Sequence, residues 1–276
     1  MYSLLHYSLD ETSGSVEERR QFPVITPVHT SPWIICPKPN PAARLRLFCF
    51  PYAGGGASIY REWPDSFQRN IEICCIQLPG RENRSREALM KNLSQVVLSL
   101  QPQLLPFLDK PFAFFGYSLG ALISFETASS LRNSAGLAPR HLFVAAHCAP
   151  HLFKPDPLLY TLPSSLLIEN LRQLQGTPEE LFQMPEILEL MLPLIRADFM
   201  IRETYSYNPQ ASRLSCPVTA FGGKEDSIPM EEVQAWEHET EGLFACHMLN
   251  GGHFFLRSDK AQLLRLVSEA LNATMC

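Results

Sequence analysis

The sequence predicts an α/β protein with a mostly parallel central sheet flanked by helices. Short apolar runs alternate with segments of helical periodicity along most of the chain, a pattern typical of successive strand–helix–strand units. The runs at 45–50 and 71–76 are predicted strands, and residues 93–105 have the spacing of an amphipathic helix. With 276 residues, 46% hydrophobic and 18% charged, the chain can bury one sizeable core.

A turn between a strand and a helix carries the most informative motif, Gly-Tyr-Ser-Leu-Gly at 116–120. The apolar run 111–115 precedes it and the helical segment 121–128 follows it. In this context the serine of a G-x-S-x-G motif stands at the tip of a strained turn with its Oγ exposed, and the glycines avoid Cβ clashes. Ser118 is therefore predicted to be a nucleophile. The alternative interpretation is a structural turn without chemistry.

A serine hydroxyl needs a general base, and the chain order in this arrangement is serine, acid, histidine. Among the histidines after Ser118, His253 has a loop-like context near the C-terminus. It lies between the predicted strand 243–249 and a predicted helix over about 258–271, and two glycines before it let the backbone bend. His253 is the predicted base. The alternative is a surface histidine in a turn.

The acid that orients the imidazole should follow the strand before the histidine. Residues 216–221 are that predicted strand, and Gly-Gly-Lys-Glu-Asp follows at 222–226. Asp226 is the predicted acid, and Glu225 is an alternative because a shift of one residue in the loop would exchange them. Asp156 is a second alternative, since some hydrolases carry the acid one strand earlier. The acid would accept the imidazole N–H and stabilise the imidazolium that forms.

Three consecutive glycines at 54–56 follow the strand 45–50 and precede a helix. Their backbone can curl so that N–H groups point inward, as in the glycine-rich oxyanion loop of α/β hydrolases. The predicted oxyanion donors are the backbone N–H groups of Ala53 and of Leu119, the residue after the nucleophile. A phosphate-binding loop is the rival interpretation, but the segment lacks the Gly-Lys-Ser/Thr ending and the G-x-G-x-x-G spacing.

Together these motifs resemble those of the type II thioesterases, stand-alone α/β-hydrolases that act beside modular peptide and polyketide synthases. That family is related to the animal medium-chain fatty acyl carrier-protein thioesterase. The matching segments, in family order from about Trp33 to the C-terminus, are Phe-Cys-Phe-Pro-Tyr-Ala-Gly-Gly-Gly at 48–56, Gln-Leu-Pro-Gly-Arg-Glu at 77–82, Phe-Phe-Gly-Tyr-Ser-Leu-Gly at 114–120, Gly-Thr-Pro at 176–178, Ile-Arg-Ala-Asp at 195–198 and Gly-Gly-His-Phe at 251–254. One departure is visible: His147 and Cys148 stand where the family tends to carry small or arginine residues.

The resemblance implies the α/β-hydrolase fold and hydrolysis of acyl or aminoacyl thioesters on the phosphopantetheine arm of a carrier protein. It implies the same three roles: Ser118 as nucleophile, His253 as base and Asp226 as orienting acid. The implied partners are acyl or peptidyl carrier protein domains of a synthase. No cofactor is expected, since the substrate carries the phosphopantetheine. A small-molecule carboxylesterase or lipase with the same triad is the alternative, and the complete motif set disfavours a non-catalytic binding protein.

Residues of about 153–207 break the strand–helix alternation. Apolar side chains recur there at helical spacing with no convincing strand. The two predicted apolar faces consist of Leu166, Leu167, Leu171 and Leu174, and of Ile187, Leu190, Met191, Leu194 and Ile195. An insertion here covers the nucleophile in this fold, so we predict a helical lid that lines a dry acyl tunnel. Two ordinary packing helices are the alternative.

The charge and cysteine patterns limit the partners and the compartment. The net charge is −5 and no Lys/Arg-rich run stands out, so nucleic acid is not an expected partner. The 8 cysteines show no paired C-x-x-C spacing, which favours a reducing cytoplasm over a disulfide framework or a metal site. No apolar run approaches the length of a membrane span, so no membrane association is expected, and we expect a monomer.

Residues 1–32 are predicted to form a poorly ordered N-terminal extension, and residues 33–276 the thioesterase domain. The extension mixes Ser, Glu, Arg and Pro and lacks an apolar h-region, so it does not have the pattern of a secretory signal.

Docking of an acidic carrier protein would need a local basic or apolar patch on a chain that is itself acidic. The candidate basic residues are Arg81, Arg84 and Arg86 after the Pro-Gly turn and Arg196 and Arg202 in the predicted lid. The alternative interpretation of each is a solvated surface charge.

Overall fold

A seven-stranded sheet forms the centre of the computed structural model, which describes residues 30–155, 158–174 and 182–275. The strands are β1 (Ile34–Ile35), β2 (Leu45–Phe50), β3 (Ile71–Ile76), β4 (Phe112–Tyr117), β5 (Leu142–Ala145), β6 (Val218–Gly223) and β7 (Phe244–Leu249). Their order in the sheet is β1-β3-β2-β4-β5-β6-β7. Only the pairing of β1 with β3 is antiparallel among these neighbours. The prediction of a mostly parallel sheet is confirmed.

The strands are recognisable in the sequence because both faces of the sheet are covered. Every residue of β2, β3, β4 and β6 is buried, so these strands are mainly apolar rather than alternating in pattern. The charged exceptions, Arg46 in β2 and Glu72 in β3, pair with each other at 2.7 Å. β6 begins and ends two residues later than predicted, since Pro217 at its start has no N–H for the ladder. The two-residue edge strand β1 has no sequence signal of its own.

The helices are α1 (Leu93–Leu104), α2 (Leu119–Ala135), α3 (Ser164–Gln173), α4 (Pro185–Glu203), α5 (Met230–Gln234), α6 (Phe255–Ser258) and α7 (Lys260–Met275). α1, α2 and α5 pack on one face of the sheet, where Phe48 and Phe114 point. α6 and α7 pack on the other face, with Leu47 and Phe115. Each strand therefore contributes alternate side chains to two separate layers of core.

α3 and α4 belong to the segment predicted as a lid and form a third apolar cluster. Its buried members are Leu167, Leu171, Phe182, Leu188, Leu192, Ile195 and Phe199. The predicted faces are wrong at Leu166 and Leu190, which are 46% and 80% exposed. The buried stripe of α4 runs through Leu188, Leu192 and Ile195, and Leu190 lies about 200° around the helix from Leu188.

Several predictions concern residues outside the described ranges: most of the N-terminal extension, the alternative acid Asp156 and the Gly-Thr-Pro segment at 176–178. Within the described ranges, no helix is both long and apolar enough to cross a membrane. The same residues contain no group of three or more His, Cys, Asp or Glu side chains arranged to hold a metal ion.

Two histidines are buried near the centre of the sheet. His141 stacks on Phe143 with ring centroids 4.2 Å apart, and its Nε2 lies 2.8 Å from Thr219 Oγ1. Burial lowers the pKa of His141 to about 4 and that of His147 to about 3. Both imidazoles are therefore neutral in the folded protein near neutral pH.

Stability should consequently fall as the pH drops below about 6.5, where unfolded histidine takes up a proton and the folded protein does not. Each buried histidine should lower the free energy of unfolding by up to about 1.4 kcal/mol for each pH unit. This effect continues until the pH reaches the pKa of that histidine in the folded protein. Urea unfolding at about pH 7 and about pH 5 measures this slope. His141→Gln should flatten it, whereas the exposed control His238→Gln should not. An unchanged slope in His141→Gln would contradict the prediction.

Candidate active site

Ser118 occupies a strained turn between β4 and α2. Its φ of 52° and ψ of −116° are outside the regions that L-residues usually adopt. A Cβ on Gly116 would lie 2.3 Å from Gly120 O, and one on Gly120 would lie 2.1 Å from Phe50 O. Both motif glycines are required because backbone, which cannot move aside, occupies the space of a side chain. The turn has the geometry that the motif predicts.

Three predicted residues meet at the carboxyl edge of the sheet. Ser118 follows β4, Asp226 follows β6 and His253 follows β7. His253 Nε2 lies 3.1 Å from Ser118 Oγ, and His253 Nδ1 lies 2.9 Å from Asp226 Oδ2. The imidazole can therefore donate Nδ1–H to the carboxylate and accept the serine proton at Nε2.

The loop after β6 determines which acid reaches the imidazole. Glu225 N–H donates to Gly251 O at 3.1 Å, which joins this loop to the loop after β7. In this register Glu225 is exposed, whereas the Asp226 side chain is only 2% exposed. Burial opposes ionisation of Asp226, but hydrogen bonds from His253, Ile228 and Ser227 and the charge of His253 lower its pKa below the usual value of 3.8. Asp226 is thus an anion beside His253.

Tyr117 anchors the histidine loop, a contact that sequence reasoning missed. Its hydroxyl donates to His253 O at 2.7 Å and accepts Leu256 N–H at 3.2 Å. The residue occupies a variable position of the G-x-S-x-G motif. A polar aromatic residue inside a buried strand was the only sequence signal for this role.

The predicted oxyanion donors lie on either side of Ser118. Leu119 is the first residue of α2, so its N–H has no acceptor within the helix. Ala53 lies in the glycine-rich loop after β2 and lines the same cavity as Ser118. The next amide, Gly54 N–H, donates to Asp198 Oδ2 at 2.7 Å, which fixes the orientation of this loop.

A buried ion pair holds the glycine-rich loop. Arg81 Nη1 and Nη2 bind Asp198 Oδ2 and Oδ1 at 2.7 and 2.8 Å, and Arg81 Nη1 also donates to Gly55 O at 3.1 Å. The two side chains are 4% and 0% exposed. The loop is therefore tied both to the segment after β3 and to helix α4.

This arrangement corrects several of the predicted docking residues. Arg81 and Arg84 are buried, and Arg84 stacks on Trp33 with its Cζ 4.4 Å from a ring centroid. Arg196 donates to Tyr160 O within the α3–α4 region, and Arg202 lines the active-site cavity. Of the five candidate docking arginines, Arg86 is the one that is exposed.

A cavity of about 540 Å³ opens over Ser118 and His253. Its apolar wall consists of Leu171, Leu174, Met191, Ile195 and Phe199 of α3 and α4 and the residue after α3. This volume lies in the range of small-molecule sites. The position of α3 and α4 agrees with the predicted lid, whose opening and closing stays a prediction.

His147 and Cys148, the departure from the family pattern, are buried behind the site. His147 Nδ1 lies 2.6 Å from Cys148 O, and burial raises the pKa of the Cys148 thiol to about 11. A neutral buried thiol is a poor nucleophile. Neither residue therefore competes with Ser118 or His253 for its predicted role.

The chain is similar to known proteins in sequence and in fold. A family model for the thioesterase domain matches residues 45–271. Linear gramicidin dehydrogenase LgrE of Brevibacillus parabrevis is 45% identical over 251 residues, covering 89% of this chain and 95% of that protein. Gramicidin S biosynthesis protein GrsT of Aneurinibacillus migulanus is 41% identical over 244 residues, covering 88% and 95%. The solved type II thioesterase BorB of the borrelidin biosynthetic cluster has a TM-score of 0.81 at 32% identity, covering 89% of this chain and 100% of that one.

The Arg81–Asp198 pair can be tested by removing one charge and then both. Asp198→Asn should destabilise the protein by about 3–5 kcal/mol, because it leaves the Arg81 charge buried without a partner. It should also lower kcat by about 100-fold, since Gly54 loses its charged acceptor and the oxyanion loop is no longer held. Urea unfolding and steady-state kinetics measure the two effects.

The double variant Arg81→Met with Asp198→Leu separates these effects. It removes both buried charges and should recover much of the stability. Its kcat should stay low, because Gly54 N–H still lacks its acceptor. Normal kcat in the folded double variant would show that the ion pair does not position the loop.

Proposed function

The chain belongs to the thioesterase domain family, and from that premise we propose that it hydrolyses acyl or aminoacyl thioesters on the phosphopantetheine arms of carrier proteins. The carrier domains would be those of a peptide, polyketide or fatty-acid synthase, on which the enzyme edits or releases chains. The observation that carries the proposal is the hydrogen-bonded set Ser118–His253–Asp226, of which Ser118 and His253 line a cavity that has apolar side chains of α3 and α4 in its wall.

In this proposal Ser118 Oγ attacks the thioester carbonyl while His253 Nε2 takes its proton. The N–H groups of Ala53 and Leu119 stabilise the oxyanion, and Asp226 stabilises the imidazolium. Collapse of the intermediate expels the pantetheine thiol, which receives the proton from His253 and leaves an acyl-enzyme. Water, deprotonated by the same imidazole, then attacks the ester carbonyl, and the proton returns to Ser118 as the acid is released.

The relatives favour a thioester substrate over an oxygen ester. BorB is a type II thioesterase of a biosynthetic cluster, and GrsT is a gramicidin S biosynthesis protein. LgrE is named a dehydrogenase, but the present sequence contains no G-x-G-x-x-G segment for a dinucleotide. A small-molecule carboxylesterase with the same triad is the second candidate, since the triad itself accepts either ester.

A comparison of matched substrates tests the proposed reaction. We expect a higher kcat/KM for acyl-pantetheine and acyl-carrier thioesters than for oxygen esters of the same acyl group. Ser118→Ala should lower kcat by a factor on the order of 10⁴ or more with the fold intact, because the triad acts as a unit. A serine-directed phosphonate should label Ser118, identified by peptide mass mapping.

Two results would contradict these expectations. Faster cleavage of the oxygen esters would favour the carboxylesterase. Label on another residue, such as Cys148, would refute the assignment of the nucleophile.

Neighbouring residues of α4 test whether the α3–α4 region holds the acyl chain. Met191 lines the cavity, whereas Leu190 is 80% exposed. Met191→Trp should reduce kcat/KM by about fivefold for each methylene that it excludes, since burial of a methylene is worth about 0.8 kcal/mol or slightly more. Acetyl substrates should be hardly affected, and the matched control Leu190→Trp should leave the chain-length profile unchanged. Equal losses for acetyl and decanoyl thioesters would show that α4 does not line the acyl site.

A further inference from the structure

One face of α4 changes from apolar to cationic along the cavity wall. Met191, Ile195, Phe199 and Arg202 have the spacing of one helix face, and all four line the cavity. The first three are apolar. Arg202 is one residue from the end of α4 and places a guanidinium where the apolar stripe stops.

The guanidinium of Arg202 has no ionic partner among the residues that the structure describes. Its Nε is buried without a hydrogen-bond partner, and its Cζ lies 4.5 Å from the ring centroid of Phe153. The nearby acids are engaged elsewhere: Glu203 accepts Tyr160 N–H at 3.1 Å, and Asp226 binds His253. Burial lowers the pKa of Arg202, although an arginine remains charged under ordinary conditions.

Arg202 as a whole is half-buried, and Glu203 and Asp226 lie near enough to act on its charge without forming an ion pair with it. A half-buried guanidinium that makes no ion pair gains stability from an anion that binds it. An anion that binds Arg202 gains more binding free energy than an ordinary hydrogen bond provides, because guanidinium–carboxylate contacts are charge-assisted and can be bidentate. Arg202 faces the cavity that contains Ser118, so an anionic part of the substrate is suited to bind it. Two parts of a carrier-bound thioester can be anionic: a carboxylate on the acyl group and the phosphate of the pantetheine arm.

The geometry favours the acyl group. Ile195 lies against Gly54 of the oxyanion loop, with its Cγ1 3.3 Å from the place of a Gly54 Cβ. Arg202 is seven residues further along α4, about 10 Å along the axis, and a helical side chain leans back toward the N-terminus. The guanidinium therefore reaches positions only a few bonds from the thioester carbon, whereas the phosphate is at the far end of a long arm.

We propose that Arg202 binds a carboxylate on the acyl group, so that the enzyme selects short dicarboxylic acyl thioesters over neutral ones of similar length. The inference rests on the proposed thioesterase reaction and adds a substrate class to it. Ser118, His253 and the oxyanion loop act on the thioester, while Arg202 selects what is attached to it.

Thioesters of N-acetylcysteamine test the proposal, because they lack the phosphate. The measured quantity is the ratio of kcat/KM for succinyl to that for pentanoyl thioester. Arg202→Met should lower this ratio by about tenfold to 100-fold through loss of one charge-assisted contact, mainly at the succinyl substrate. Arg202→Lys should retain part of the ratio, because it keeps the charge and loses the bidentate geometry.

Arg265→Met is the charge-matched control. Arg265 is exposed on α7 and pairs with Glu269 at 2.6 Å, so its replacement changes the net charge equally away from the cavity. The ratio should stay at the wild-type value in this variant. The melting temperature of Arg202→Met should be equal to or above that of the wild type, because the variant removes a half-buried charge that makes no ion pair and leaves no acid unpaired.

Each of the following outcomes would overturn one specific part of the proposal. An unchanged ratio in folded Arg202→Met refutes carboxylate binding. An unchanged ratio, with an equal loss of kcat/KM for both acyl groups in Arg202→Met that appears only with phosphopantetheine thioesters, assigns Arg202 to the phosphate instead. A large fall in melting temperature with equal loss of both substrates makes Arg202 structural. Failure of the wild-type enzyme on every thioester would refute the proposed function itself, whereas the other outcomes leave it intact.

Discussion

The ion pair between Arg81 and Asp198 joins three parts of the chain that are distant in sequence. It connects the segment after β3, the glycine-rich loop after β2 and helix α4. Both charges are buried, so the pair is stable only while each carboxylate oxygen and each guanidinium nitrogen keeps its partner. The same contacts orient Gly54 and support the cavity wall. The glycine-rich loop and the α4 wall of the cavity therefore depend on one interaction.

The strain at Ser118 is maintained by a second set of fixed contacts. The backbone of Phe50 closes against Gly120, and Tyr117 on the preceding strand holds the loop of His253. Ser118 and the loop of His253 are thus held by residues at the end of one strand, β4, and in the turn that follows it. Because parallel strands end at the same edge of the sheet, residues 118, 226 and 253 meet there despite their separation in sequence.

The cavity combines two environments within one space. Leu171, Met191 and Phe199 give it an apolar wall suited to an acyl chain, and Arg202 provides a cation without a partner among the described residues. A purely apolar tunnel would select acyl groups by length alone. In our proposal a guanidinium at the end of the apolar stripe adds selection by charge, since an unpaired polar group discriminates more strongly than a missing methylene.

The amino-acid sequence alone was enough to predict a mostly parallel sheet, most of its strands, and Ser118 and His253 as candidates, whereas the short edge strand β1 left no signal. Strands buried on both faces become mainly apolar runs, and a strained strand–helix turn tolerates few residues beside glycine, so both leave local signals. These signals depend on neighbours in the sequence, which is why they could be interpreted without a structure.

Only the tertiary structure decided between Asp226 and Glu225, because the bonds between the loops after β6 and β7 set which side chain turns inward. It also placed Arg81 in the interior and Arg202 in the cavity wall rather than on a docking surface, and Leu190 in solvent rather than in the cavity. The sequence does not distinguish an arginine that is solvated from one that pairs with a distant aspartate or one that faces a cavity. Its role follows from partners more than a hundred residues away, which no local pattern encodes.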